Sequence, residues 1–141
     1  MEKKRDMIEG IGRVWLLLRR FGRKKISELD TGLTFDQMLV LFTLYNNEGM
    51  KIGDIADLTD RDRTTTSRMI SGLEKKNLIL RVPGHDDNRQ KLIYLTRSAK
   101  DLLEGLEPLK KEFERTMFKG IKKADMDKVA KMLNKVADNL E

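Results

Sequence analysis

Cysteine is absent from the 141 residues, which removes disulfides, thiolate metal sites, iron–sulfur clusters and thiol redox sensing from consideration. A reducing cytoplasm fits that absence and is the expected location. Long apolar runs are lacking too. Val14 to Leu18 and Met38 to Leu41 fall far short of the ~20 residues that cross a bilayer, and neither resembles a signal-peptide core, so no membrane partner is expected. Proline occurs only 2 times, with 39% hydrophobic and 37% charged residues, a composition that argues for a helix-rich folded chain against a disordered one. No glycine-rich phosphate loop is present, and neither Ser71 nor the threonines have an adjacent histidine and acid to activate a nucleophile. An enzyme is therefore not expected, nor a cofactor. The single histidine stands in His85-Asp86-Asp87, whose adjacent loop residues converge poorly on a metal, so no metal site is assigned.

What is there is helical periodicity. Met7, Ile11, Val14, Leu18 and Phe21 alternate steps of four and three, one stripe of a first helix over 7–29. Asp30-Thr31-Gly32 supplies a turn, and Thr34 with Gln37 has the spacing of a reciprocal helix cap. A second helix then starts near Phe35, with Phe35, Met38, Leu39, Phe42 and Tyr45 as its expected buried face. Asn46 to Gly49 ends it. A short third helix buries Ile52, Ile55 and Ala56, and Thr59-Asp60-Arg61 makes a tight connection to Asp62, which can cap a fourth helix running to about Lys76. Two β-prone runs, Leu78 to Val82 and Lys91 to Leu95, flank a charged loop and predict a hairpin. Thr96 can cap the next helix, whose course is expected to kink or break near Glu107 because of Pro108. The last segment spaces Met126, Val129, Leu133, Val136 and Leu140 as a seam for another helix.

Helix, short helix, tight turn, helix and hairpin across 34–96 form the order of a winged helix-turn-helix, in which the fourth helix would enter the DNA major groove. Met69, Ile70 and Leu73 are its expected inward positions, which leaves Thr64, Thr65, Ser67, Arg68 and Ser71 on a small, polar, basic face. Threonine methyls can touch a thymine methyl, and Arg68 can reach guanine O6 and N7 with two parallel bonds. Arg63, Lys75, Lys76, Arg81 and Lys91 are candidates for phosphates. Arg89, at the tip of the projecting loop, can enter a minor groove narrowed by A·T-rich sequence, with Asp87 as an orienting partner. The net charge of +6 favours a polyanionic partner without deciding the matter.

These residues carry a resemblance. Ile55-Ala56-Asp57-Leu58, Asp62-Arg63-Thr64-Thr65-Thr66-Ser67-Arg68, Leu73 to Ile79, and the wing Asp87-Asn88-Arg89 followed by Leu92 to Thr96 are similar to the MarR family (multiple-antibiotic-resistance-type regulators). The chain departs from that pattern at Asp60, where a turn glycine is usual, at Gly72 inside the recognition helix, and at Lys51 and Lys123, where Ser or Thr caps are common. The resemblance implies an obligate homodimer built from the first and last two helices, Thr64, Thr65, Thr66 and Arg68 near bases, and Arg89 in the minor groove.

The expected fold is mainly α, about six helices with a two-stranded wing. It divides into an N-terminal dimerisation helix (1–33), the winged DNA-binding region (34–96) and C-terminal dimerisation helices (97–141), together one compact domain. The expected function is a homodimeric repressor on a pseudo-palindromic site in double-stranded DNA, with a small-molecule effector, of unassigned identity and pocket, as releasing agent. Its candidate site residues are Arg63, Thr64, Thr65, Thr66, Ser67, Arg68, Arg89 and Lys91, with Asp87 orienting. A protein-interaction module and a non-specific architectural DNA binder are the alternatives. The basic cluster Arg19, Arg20, Arg23, Lys24 and Lys25 is taken as an exposed helix face.

Overall fold

A computed structural model describes residues 1–86 and 89–141. In chain order the elements are α1 (Glu2–Glu28), α2 (Phe35–Asn46), β1 (Met50–Lys51), α3 (Ile52–Thr59), α4 (Arg63–Lys75), β2 (Ile79–Pro83), β3 (Lys91–Leu95), α5 (Arg97–Gly105), α6 (Glu107–Met117) and α7 (Lys123–Leu140). The architecture is mainly helical, with one small antiparallel sheet. The chain forms two compact units, Met1–Leu103 and Glu104–Glu141. Among the described residues no helix is long and apolar enough to cross a membrane.

Local chemistry starts and stops these elements where the side chains dictate. Thr34 Oγ1 accepts from Gln37 N at 3.1 Å while Gln37 Oε1 accepts from Thr34 N at 3.0 Å, so two amides at the start of α2 are satisfied reciprocally. Thr96 Oγ1 accepts from Ala99 N at 3.1 Å at the start of α5 and donates to Asn77 O at 2.7 Å, which ties that helix to the end of α4. Asn77 takes the left-handed conformation (φ 58°) that lets the chain leave α4 and enter the hairpin. The helix breaks at Leu106, between Gly105 and Glu107, with Pro108 in the first turn of α6, where a missing amide costs nothing. Lys51 and Lys122 precede α3 and α7 without a side-chain cap.

The first unit is organised around α2, which packs on α1, α3, α4 and β3. Its buried residues are Met38, Val40, Leu41 and Leu44, while Leu39 and Tyr45 are exposed and Phe35 and Phe42 only half-buried. The expected face was thus displaced. The segment is apolar nearly all round, and periodicity cannot choose a face when several neighbours surround a helix. With Ile55, Ala56, Ile70, Leu73, Leu78, Ile79, Ile93, Leu95, Ala99 and Leu103 these side chains complete the core.

The sheet order is β1-β3-β2. The hairpin register pairs Ile79 with Leu95, Arg81 with Ile93 and Pro83 with Lys91, and Met50 adds a third strand by pairing with Ile93. That strand has only two residues, too few for an alternation to register in sequence. The register sets one sheet face as Ile79, Arg81, Ile93 and Leu95 and the other as Leu80, Val82, Leu92 and Tyr94. In the second unit, neither α6 nor α7 buries a side chain.

Candidate nucleic-acid interface

Helix α4 has two opposed faces. Thr66, Ile70 and Leu73, at i, i+4 and i+7, are buried against the core, whereas Met69 is half-buried. The other face, with Ile52 from α3, lines an open groove of about 650 Å³ bordered by Arg63, Thr64, Ser67, Arg68, Ser71, Gly72 and Lys75. Three cations and three hydroxyls stand there without a carboxylate. The contrast with the surrounding segment is sharp, because acids and bases balance over residues 33–96. A neutral region thus concentrates positive charge on one helix face, where it attracts a polyanion.

The start of α4 is fixed by Asp62. Its Oδ1 accepts from Thr65 N at 2.7 Å and its Oδ2 from Thr65 Oγ1 at 2.9 Å. The backbone bond from Thr65 and then the hydroxyl bond hold the Asp62 carboxyl below its ordinary value of 3.8. The preceding turn places Asp60 at φ 51° and closes with Arg61 N on Ala56 O at 3.0 Å. Asp60 therefore stands in a left-handed position that glycine would occupy without strain. Arg61 clamps the turn to α2 through Asp36, at 3.0 Å.

Apart from Thr66, the site residues expected from sequence divide into four groups. Arg63, Thr64, Ser67 and Arg68 come together on the groove, with the Arg63 guanidinium lying beside Gly53. Thr65 stands beside them, but its hydroxyl proton is committed to Asp62, so it can offer a methyl or a lone pair and no donor. Arg89 and Lys91 are exposed on the wing, away from the groove-lining set. Asp87 lies outside the described residues.

Thr66 requires correction. It is fully buried, and its hydroxyl donates to Asp62 O at 2.9 Å, so it faces the core and cannot meet a base. Helical spacing already places it with Ile70 and Leu73; only the resemblance had added it to the interface.

Two cations proposed for phosphates are also engaged within the protein. Lys76 Nζ donates to Gly32 O at 2.6 Å, joining the end of α4 to the loop before α2. Arg81 Nη2 donates to Ser71 Oγ at 2.8 Å, and its Nε lies 3.4 Å from Glu74 Oε2. Sequence reasoning missed this link. The signal was the alternation in β2, which puts Arg81 on the same face as buried Ile79.

The sequence model of the MarR family matches residues 33–91. The chain is 25% identical over 136 residues to the HTH-type transcriptional regulator YybA of Bacillus subtilis (strain 168), a match covering 96% of this chain and 89% of that one. Among solved structures, the transcriptional regulator SlyA is similar with a TM-score of 0.80 and 26% identity, over 96% of this chain and 94% of that one. A MarR family regulator of Listeria monocytogenes, solved in complex with a 26mer DNA, gives 0.82 and 26% over 94% and 87% of the two chains.

Proposed function

We propose that the chain is a transcriptional regulator of the MarR type, a reading supported by the family model over residues 33–91 and by the regulators it resembles, and that it is a homodimeric repressor binding a pseudo-palindromic operator. The observation that carries this reading is the groove on α4, a cationic and hydroxyl-rich face without a carboxylate. In the proposal Arg68 takes a guanine edge, Thr64 and Ser67 bond to bases or phosphates, and Thr65 offers its methyl to thymine. Arg63, Lys75 and Lys91 hold phosphates and so set the register on the duplex. Arg89 enters the minor groove, and Asp87 orients it. The Listeria regulator's complex with DNA supports the same partner here.

Dimerisation draws support from the exposed apolar side chains of the terminal helices. Ile8, Val14, Trp15 and Leu17 stand exposed on α1, and Val129, Met132, Leu133 and Leu140 on α7. Apolar surface on this scale favours burial against a second copy. Two-fold pairing of that kind sets two recognition helices roughly 34 Å apart, one duplex turn, which is why a pseudo-palindrome is proposed. A small effector releases the protein in this scheme only if it binds one head spacing more tightly than the other.

Selection of duplexes from a randomised pool near physiological salt, with the dimer mass measured on the same sample, tests the proposal. Enrichment of an inverted repeat with half-sites about one turn apart is expected. Arg68→Ala should then relax preference at one base pair by about 1–3 kcal/mol. No enrichment, with binding lost as salt rises, would overturn the sequence-specific reading; unchanged affinity in both Arg68→Ala and Arg89→Ala would overturn the residue assignment.

A further inference from the structure

Arg81 is a cation on the inner face of a strand, among Ile79, Ile93 and Leu95. Such a placement is costly unless the charge is paired. Its partners, Ser71 and Glu74, both belong to α4, one turn apart on the same side. Nε is buried and lacks a hydrogen bond, so Glu74 balances it as a nearby charge at 3.4 Å while Ser71 takes the directed bond. Ser71 itself lines the groove one turn beyond Arg68. The guanidinium therefore sits behind the groove and grips the C-terminal half of the helix that forms it.

The base of the hairpin is already fixed to α4 by the backbone. Leu78 N donates to Leu73 O at 3.0 Å and Thr96 N to Leu78 O at 3.1 Å. Farther out, Val82 and Pro83 are exposed, and the strand leads toward the loop that carries Arg89. Arg81 stands between these two stretches, where a rigid link has most leverage on the angle between hairpin and helix.

We propose that Arg81 is a positioning residue, a strut that sets the attitude of the wing to the recognition helix so that the major-groove and minor-groove contacts fall in register on one duplex. It is not a phosphate ligand in this scheme. Its committed guanidinium makes no contact with DNA and contributes nothing to counterion release. This inference rests on the DNA-reading assignment above, and a wild-type protein that selects no duplex would remove both together.

The test measures affinity for a selected duplex and for a scrambled one across a salt series, using the full-length dimer. Arg81→Met keeps the side-chain length and removes the charge; Glu74→Gln removes the balancing charge at an exposed position and serves if the first variant unfolds. Both should weaken the selected duplex, Arg81→Met by about tenfold, leave the scrambled duplex unchanged, and leave the salt slope as in wild type. Combined with Arg89→Ala, Arg81→Met should cost less than the product of the single effects, because a displaced wing has already lost that contact. A slope reduced by about 0.9, with both duplexes weakened equally, would identify Arg81 as a phosphate ligand and overturn the proposal. Fully independent effects of Arg81→Met and Arg89→Ala, or no effect of either strut variant on the selected duplex, would overturn it as well.

Discussion

Every buried hydrophobic side chain among the described residues lies between Leu33 and Leu103, whereas α1, α6 and α7 bury none. The difference is not one of apolar content. Helix α1 carries Val14, Trp15, Leu16, Leu17 and Leu18 in succession, yet the first four of these are exposed. The winged segment folds its apolar residues onto one another through short connections. The terminal helices leave several of theirs exposed, and in the proposed dimer a second copy would cover them. Charge is divided as well, because the winged segment is neutral overall while α1 holds most of the excess of bases. One region buries its apolar side chains and displays a charged face; the other leaves its apolar side chains exposed.

The largest expected effect breaks this contrast at the terminal helices. Leu17→Asp with Leu133→Asp should abolish the dimer in sedimentation and lower affinity for an inverted repeat by 10²–10⁴-fold, on the order of the avidity that linking two heads provides. The winged core should keep its circular-dichroism signature, since neither side chain is buried in it. Retained dimers in that double variant would mean the exposed stripes serve some other surface.

Within the winged segment the two faces of α4 can be separated by two threonines, Thr64 and Thr66. Thr66→Ala removes a buried methyl and a hydrogen bond and should destabilise the fold by roughly 1–3 kcal/mol, with the base preference of the remaining folded protein unaltered. Thr64→Ala should leave the melting temperature nearly unchanged and alter DNA affinity. The reverse result would assign the groove face wrongly. Thermal melts and binding isotherms on both variants decide it.

That pair also marks the limit of what the sequence disclosed. The caps at Thr34, Asp62 and Thr96, the break before Pro108 and the hairpin arms were all legible, because each depends on chemistry within a few residues. The buried side of α4 was legible in part, through Ile70 and Leu73, but Met69, also expected inward, is only half-buried and Thr66 takes the third buried position. The buried face of α2 and the two-residue β1 were not legible, for both are decided by neighbours distant in sequence. Arg81 shows the same gap at a single residue: its type suggests a phosphate, and only the register of β2 against β3 turns it inward.

Asp62 gives a smaller effect with a definite sign. Its capping bonds hold the folded carboxyl below its ordinary value of 3.8, so ionised Asp62 stabilises the protein above the unfolded-state value. That contribution is lost as pH falls through the folded value. Asp62→Asn keeps an acceptor for Thr65 N and removes the titration. The variant should therefore melt below wild type at neutral pH, with the gap closing as the pH falls through the folded value. A gap unchanged on acidification would mean that the cap does not depend on the charge.

The smallest expected effect lies where α2 meets the C-terminal half of α4. A Cβ built on Gly72 would stand 3.3 Å from Gln37 Nε2, and the same Gln37 side chain accepts the Thr34 amide through Oε1. Glycine inside a helix costs about 1 kcal/mol relative to alanine, so Gly72→Ala gains helix propensity and crowds the residue that caps α2. The amide end of Gln37 can move a few tenths of an ångström by rotation about its terminal torsion, which makes the expected net change a stabilisation of less than about 1 kcal/mol. Placing Gly72→Ala in a Gln37→Ala background isolates the crowding, because there the full gain should appear. A larger gain in that background shows that Gly72 provides for the close approach of α2. Equal gains in both show that the glycine only softens the helix that displays Arg68, and then alanine should firm α4 without altering its grip on DNA.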